Sequence, residues 1–376
     1  MKKIHPFNTL YFETTRRCNL SCPFCSSGSQ IAVADKAADL ATDVILKRIL
    51  KPAFALGTRF IDFSGGEFLL RKDALMLLHM ANELGFGIGI ATNGILLDDA
   101  LIKEIIKTVG RNVIISFGIN SFDDQNQETR DTSDDFILRK IELLEKYKVN
   151  TNISITIGEF NKESFEKTVK KIRELKLPFN RIPFSPRNCQ RNDLMPDKAS
   201  IRNFFHPVLR NYFNGQVSYT PYFLPQKIYE MASGQDLNAE QIPLNPPVGC
   251  WVGAYYAINP EGDVSPCPMF LDQVQGGNVL DTDLNEILFE STLFKTIINR
   301  KGLKGKCGHC EYTYTCGGCR VMAYFHTNDL YGEDPLCFIK DLTPEELKKY
   351  EDETVKSFRN YLRMAYFGRI YKPPSE

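Results

Sequence analysis

Between about residues 9 and 185 the chain repeats one rhythm, a short apolar or β-branched run, a turn, then an amphipathic helical stretch, and nothing else in it restricts the fold as strongly. The runs Leu10–Thr14, Arg59–Phe63, Phe86–Ala91, Asn112–Phe117, Asn150–Ile157 and Phe179–Ser185 predict strands. Between them, apolar residues recur at helical spacing, as in Leu77, Leu78, Ala81, Leu84 and in Leu101, Ile102, Ile105, Ile106, Val109. Gly110 sits where a helix C-cap is expected, and Ser133 and Asn161 sit at N-cap positions. Six strands alternating with five helices call for parallel neighbours joined by right-handed crossovers. A closed eight-unit barrel needs about 250 residues, so this stretch suffices for an incomplete barrel or an open doubly wound sheet.

The rhythm stops after Pro186. Residues 187–247 are rich in aromatics, among them Phe204, Phe205, Tyr212, Phe213, Tyr219, Tyr222, Phe223 and Tyr229, which read as packing residues of a bridging segment. From Cys250 to Cys337 the chain is loop-rich, with one expected helix over about Leu284 to Ile298. Thr343-Pro344-Glu345-Glu346 then forms a capping box with proline at the first helical position and opens a helix to about Ala365. The expected division is a parallel-strand core over 1–186, a bridge over 187–247, a loop-rich domain over 248–340 and a terminal helix and tail over 341–376.

The 376 residues carry 46 Lys+Arg and 46 Asp+Glu, so no net charge draws the chain to nucleic acid or anionic lipid. No apolar run reaches membrane-spanning length and the N-terminus lacks a signal-peptide core, so a cytoplasmic protein with neither a nucleic-acid nor a membrane partner is expected. Eleven cysteines, all but Cys189 clustered, point to metal ligation in a reducing compartment.

Cys18, Cys22 and Cys25 follow the first strand as C-x3-C-x2-C. Three thiolates on so short a loop suit a [4Fe-4S] cubane with one iron left open, where a small chelating molecule can bind. Zinc is the alternative, but zinc sites pair C-x2-C units at longer separation or finish with histidine.

With Phe24 before the third cysteine, this loop resembles that of the radical S-adenosylmethionine (radical SAM) enzymes. Ser64-Gly65-Gly66-Glu67 is similar to the family's GGE segment, which implies that Gly65, Gly66 and Glu67 bind the methionine amino group of S-adenosylmethionine. Thr92-Asn93-Gly94 resembles the ribose-contacting turn, implying cofactor contacts for Thr92 and Asn93. Ser116 and Arg130 fall where the family places contacts to the cofactor carboxylate. Many relatives carry Asp two residues after the serine; here that position is Gly118.

The second array, Cys250, Cys267, then Cys307-x2-Cys310-x5-Cys316-x2-Cys319 and Cys337, resembles the SPASM extension of that family. The resemblance implies a partial (β/α)6 barrel followed by a loop-rich domain with two auxiliary iron-sulfur clusters, one on Cys307, Cys310, Cys316 and Cys337, the other on Cys250, Cys267 and Cys319 with its fourth ligand unassigned. Zinc is again the alternative reading. The implied activity is reductive cleavage of S-adenosylmethionine and hydrogen abstraction from a C–H bond of a peptide, a small molecule or a tetrapyrrole, leading to oxidation, decarboxylation, crosslinking or epimerisation. Flavodoxin or ferredoxin would supply the electron. The cluster loop begins at residue 18, leaving no room for a leader-binding domain before it, and the stretches Cys307–Arg320 and Gly332–Cys337 resemble haem-pathway members. Cys189, beyond the sixth strand, is a candidate hydrogen donor or auxiliary-cluster ligand, against the usual fate of a lone cysteine as an inert packing residue. A non-catalytic electron carrier or cluster scaffold is the competing function.

Overall fold

The computed structural model describes residues 7–23, 25–29, 39–189, 191–211, 220–234, 249–250, 252–253 and 255–366. The chain divides into two compact units, one of residues 7–195 with 255–294, the other built from 196–254 and 295–376.

The first unit holds a nine-stranded sheet. Its strands are β1 (Thr9–Glu13), β2 (Phe60–Ser64), β3 (Gly87–Thr92), β4 (Ile114–Ile119), β5 (Asn150–Ile157), β6 (Phe179–Pro183), β7 (Tyr255–Ile258), β8 (Asp263–Ser265) and β9 (Gly277–Asn278). Their order is β6-β5-β4-β3-β2-β1-β7-β8-β9, so the sheet is not closed. All pairings from β6 to β7 are parallel, and β8 and β9 add antiparallel. All six expected strands are present, and β7 is a seventh parallel strand that contributes after the chain has left the sheet. Residues 255–294, expected in the loop-rich domain, therefore belong to the unit of the sheet, because Tyr255–Ile258 pairs with β1.

One face of this sheet is mainly apolar. Leu10, Phe12, Ile61, Phe63, Ile90, Ile115, Phe117, Ile119, Ile153, Ile155 and Ile157 are buried. Helices such as Ala74–Leu84 and Asp99–Val109 turn their own buried residues, among them Leu77, Leu78, Ile102 and Ile105, inward. The alternate positions carry Tyr11, Glu13, Asp62, Ser64, Ser116, Asn152, Ser154 and Thr156. Parallel sheets usually bury apolar residues on both faces, so this polar second face marks the site rather than the core.

Local signals explain most element ends. Gly110 ends its helix at φ 76°, and the Ser133 side chain accepts from the Phe136 N–H. Asn161 does not cap the next helix, which starts at Phe165 after Ser164. Instead its Oδ1 accepts from Gly158 N–H at 3.0 Å, and its Nδ2 donates to the carbonyls of Asn120 and Thr156 at 2.6 and 2.8 Å, joining the ends of β4 and β5. The single helix expected over 284–298 is two, Leu284–Glu290 and Thr292–Asn299. Ser291 breaks it with an extended backbone, and its hydroxyl accepts from Phe294 N–H at 3.4 Å.

In the second unit, Phe205, Tyr222, Phe223 and Tyr229 are buried, as expected of packing aromatics. Tyr212, Phe213 and Tyr219 lie outside the described residues. The helix Pro344–Tyr366 is capped reciprocally: Glu346 N–H donates to Thr343 Oγ1 and Thr343 N–H to the Glu346 carboxylate. No helix among the described residues is long and apolar enough to cross a membrane.

Candidate functional site

The chain leaves β1 through Thr14–Arg17 and enters the first cysteine loop, and the GGE segment docks on that lead-in. Gly66 N–H donates to Thr15 O at 2.8 Å and Glu67 N–H to Arg17 O at 2.7 Å. A Cβ on Gly65 would stand 2.6 Å from Thr15 O, and one on Gly66 2.2 Å from Arg17 O. Only glycine permits this approach, with Gly65 at φ +143°.

Glu67 is 1% exposed. Its carboxylate accepts from Thr92 Oγ1 at 3.0 Å, Asn93 N–H at 2.9 Å and Leu69 N–H at 3.2 Å. Burial raises its pKa, and the bonds from Asn93, Leu69 and Thr92 work against that shift. The strand-end turns after β2 and β3 are thereby tied together. Asn93 in turn donates from Nδ2 to Asn19 Oδ1 at 2.7 Å, with Cys18 Sγ 3.9 Å away.

Arg130 completes this side. Its Nε donates to Asn120 Oδ1 at 2.9 Å and an Nη to Thr156 Oγ1 at 3.2 Å, while the cysteines 22, 25 and 18 act electrostatically on the guanidinium. A Cβ on Gly118 would come within 2.8 Å of Arg130 Nη1. The position where many relatives carry Asp is thus the space that lets the guanidinium lie on β4. Ser116, on the same face, accepts from Asn152 Nδ2 at 3.2 Å. Phe24 lies outside the described residues.

Without metal, Cys18 and Cys22 remain protonated thiols. Burial pushes Cys18 up to about 11 and raises Cys22 as well. Iron would exchange those protons for metal bonds, and the loop fits a cluster: three thiols close enough to interact electrostatically, the cationic Arg130 beside them and the Asn93 amide at their edge.

The polar face holds residues not anticipated as functional. Tyr11, Asp62 and Gly89 stand in register on β1, β2 and β3. Tyr11 OH and Ser64 Oγ are 2.7 Å apart. Burial lifts Asp62 to about 7, and a Cβ on Gly89 would overlap its carboxylate at 1.8 Å. The available signal was an acidic residue in the middle of an otherwise apolar strand, Phe60-Ile61-Asp62-Phe63.

Arg187 anchors the far side of the cysteine loop. It is buried, donating to both oxygens of the buried Glu13 at 3.0 and 3.1 Å, to Pro268 O at 2.7 Å and to Ser26 O at 3.2 Å. Asp272 joins Arg16 and Asn188, the latter at 2.8 Å. Burial alone would raise the Asp272 carboxyl, but the Arg16 hydrogen bond and the charges of Arg187 and Arg16 hold it down at about 2. Asn188 also donates to Ser27 O at 3.2 Å, so Cys189 sits on a segment held against the cluster loop. Burial raises its thiol pKa, and Cys25 adds to that rise.

In the second unit, Cys307, Cys310, Cys316 and Cys337 line one pocket with Tyr222, Gly318 and Asp334. Among the described residues no three His, Cys, Asp or Glu side chains converge on one point as a single ion requires; four thiols around a pocket suit a polynuclear cluster. Asp334 is fully buried and staples the loops: its carboxylate accepts from Cys319 N–H at 2.7 Å and Leu336 N–H at 2.9 Å, while its own N–H donates to Cys307 Sγ at 3.3 Å. Burial raises all four thiols, Cys337 to about 12. Gly249, at φ +79°, lets Cys250 N–H reach Cys316 O at 2.8 Å. Cys250 and Cys319 belong to this unit and Cys267 to the other, where Tyr255 OH lies 3.4 Å from its sulfur.

Residues 12–172 match the Radical SAM superfamily, and residues 250–311 match the iron-sulfur cluster-binding domain SPASM. Two curated relatives carry the name AdoMet-dependent heme synthase. The protein from Methanosarcina barkeri is 26% identical over 88% of this chain and 95% of its own length; that from Oleidesulfovibrio alaskensis is 26% identical over 87% and 86%. Among solved structures, Streptococcus suis SuiB bound to S-adenosylmethionine shares the fold with a TM-score of 0.63 at 19% identity, covering 89% of this chain and 77% of that one. The complex of anSMEcpe with AdoMet and the Cp18Cys peptide reaches 0.64 at 16% identity, covering 95% and 99%. With the cysteine loop at the end of β1, the docked GGE segment and the second cysteine array, these matches give the chain a radical SAM domain over residues 12–172 and a SPASM domain over 250–311, and so support a radical SAM enzyme with auxiliary clusters.

Proposed function

We propose that this enzyme abstracts hydrogen from a C–H bond of a tetrapyrrole substrate in a haem-forming reaction, with the substrate held against the polar face of the parallel sheet. What carries this reading is the similarity to two heme synthases over nearly their whole lengths. When bound, the first cluster and S-adenosylmethionine supply the electron and the 5′-deoxyadenosyl radical. Cys18, Cys22 and Cys25 would hold that cluster. The Gly65–Gly66 backbone, Thr92, Asn93, Ser116 and Arg130 would orient the cofactor, with Glu67 fixing the two turns that present it. Tyr11, Ser64 and Asp62 offer hydrogen-bonding groups to the substrate, and the apolar layer behind them excludes water from that side. The auxiliary clusters would carry the electron that leaves the product radical, with a small electron-transfer protein such as flavodoxin or ferredoxin as the reductant. A non-catalytic carrier does not account for the superfamily match over 12–172.

The test is anaerobic incubation of reduced, reconstituted protein with S-adenosylmethionine and a carboxylate-bearing iron tetrapyrrole. The expected result is 5′-deoxyadenosine formed together with an oxidised or decarboxylated tetrapyrrole. Cofactor cleavage with the tetrapyrrole left intact would overturn the substrate assignment while leaving the radical chemistry standing.

A further inference from the structure

Arg320 opens the helix Arg320–Thr327 directly after Cys319 and is 2% exposed. Its Nη1 donates to the carbonyls of Leu330 at 3.1 Å and Gly332 at 2.5 Å. Its Nε and Nη2 are equally buried and have no hydrogen-bond partner among the described residues. A buried guanidinium with unmatched N–H groups is costly unless a counter-charge meets it. The nearby carboxylate, Asp334, accepts from the Cys319 and Leu336 N–H groups, and among the described ion pairs none joins it to Arg320.

Gly318 shows what the Nη2 group stands beside. It has φ +60°, and a Cβ built on it would lie 2.6 Å from Arg320 Nη2 and 3.0 Å from Cys307 Sγ. Nη2 and the thiol sulfur therefore border the same gap, which glycine alone leaves open. A four-thiolate cluster carries net negative charge and exposes sulfur acceptors, and hydrogen bonds to those sulfurs set its potential.

We propose that Arg320 is a positioning residue that donates its free N–H groups to sulfur of the auxiliary cluster held by Cys307, Cys310, Cys316 and Cys337, and thereby raises that cluster's reduction potential. The positive charge and the donated hydrogen bonds both favour the reduced, more negative cluster. This rests on the ligand set given above for that cluster and is independent of the substrate.

The test uses reconstituted full-length protein with Cys18, Cys22 and Cys25 replaced by Ala, so that only auxiliary signals remain, in a potentiometric titration followed by electron paramagnetic resonance. In Arg320→Gln the cluster midpoint is expected to move to a more negative potential at unchanged iron content, with Arg320→Lys between the two. An unmoved midpoint in a fully loaded Arg320→Gln protein overturns the proposal. Should that variant fail to load, the parent protein decides: with 15N-labelled arginine, its reduced cluster is expected to show a 15N coupling that Arg320→Lys lacks, and absence of that coupling overturns the proposal. An iron content that leaves the four cysteines without a cluster overturns the ligand set, and the proposal with it.

Discussion

Glu67 accepts hydrogen bonds from three groups on two different turns, so its replacement should be felt in two measurements rather than one. Glu67→Gln brings an NH2 toward existing donors and is expected to lower unfolding stability by about 1–3 kcal/mol, the cost of leaving buried groups unmatched. It should also weaken S-adenosylmethionine binding at least severalfold. A residue that served only the cofactor ammonium would shift the binding isotherm and leave the unfolding midpoint in place. Asp62 gives a pH signature. Its folded-state pKa of about 7 lies above the unfolded carboxyl value, so its stabilising contribution is full below the unfolded pKa and is lost as pH rises through the folded one. Asp62→Asn should therefore gain stability over the wild type as pH increases from 5 to 8, which denaturant titrations at the two values check. The Glu67 position was legible in the sequence as part of a motif, but its partners were not. A motif gives residue type and order, whereas hydrogen bonds between turns 25 residues apart depend on where the strands end.

At the scale of elements, the strand–helix rhythm was readable because a strand sealed by helices must present apolar residues at alternate positions, as Leu10 and Phe12 do. The β7 strand escaped because Tyr255–Ile258 is four residues long and lies far along the chain from its partner β1. The break at Ser291 escaped because Leu284 to Ile298 keeps its apolar spacing across the break. The Glu13–Arg187 pair was equally hidden, since 174 positions separate its members. That pair predicts a local failure. Arg187→Met strands a buried carboxylate and releases Ser26 O, and should cost about 3–5 kcal/mol. Thermal unfolding and iron content report the two effects separately: the melting point should fall, and the iron lost should be that of the first cluster alone.

For the molecule as a whole, the ligand sets imply about three [4Fe-4S]-type clusters, roughly twelve irons per chain. Elemental analysis of anaerobically reconstituted protein checks the number, and a value near four irons with zinc present would overturn the auxiliary assignment. The second unit leans on its metal more than the first, because residues 305–337 are mostly turns and short helices around four thiols. Chelation of iron is accordingly expected to expose that stretch to limited proteolysis while the parallel sheet stays resistant. The sheet itself separates two tasks by side: one side carries the aliphatic and aromatic residues that hold the unit together, the other its serines, asparagines and Asp62. Substitutions at polar positions such as Ser154 thus fall outside the packing that keeps the chain folded. An evolving lineage could exchange such residues one at a time and acquire new substrates without first having to repair its stability.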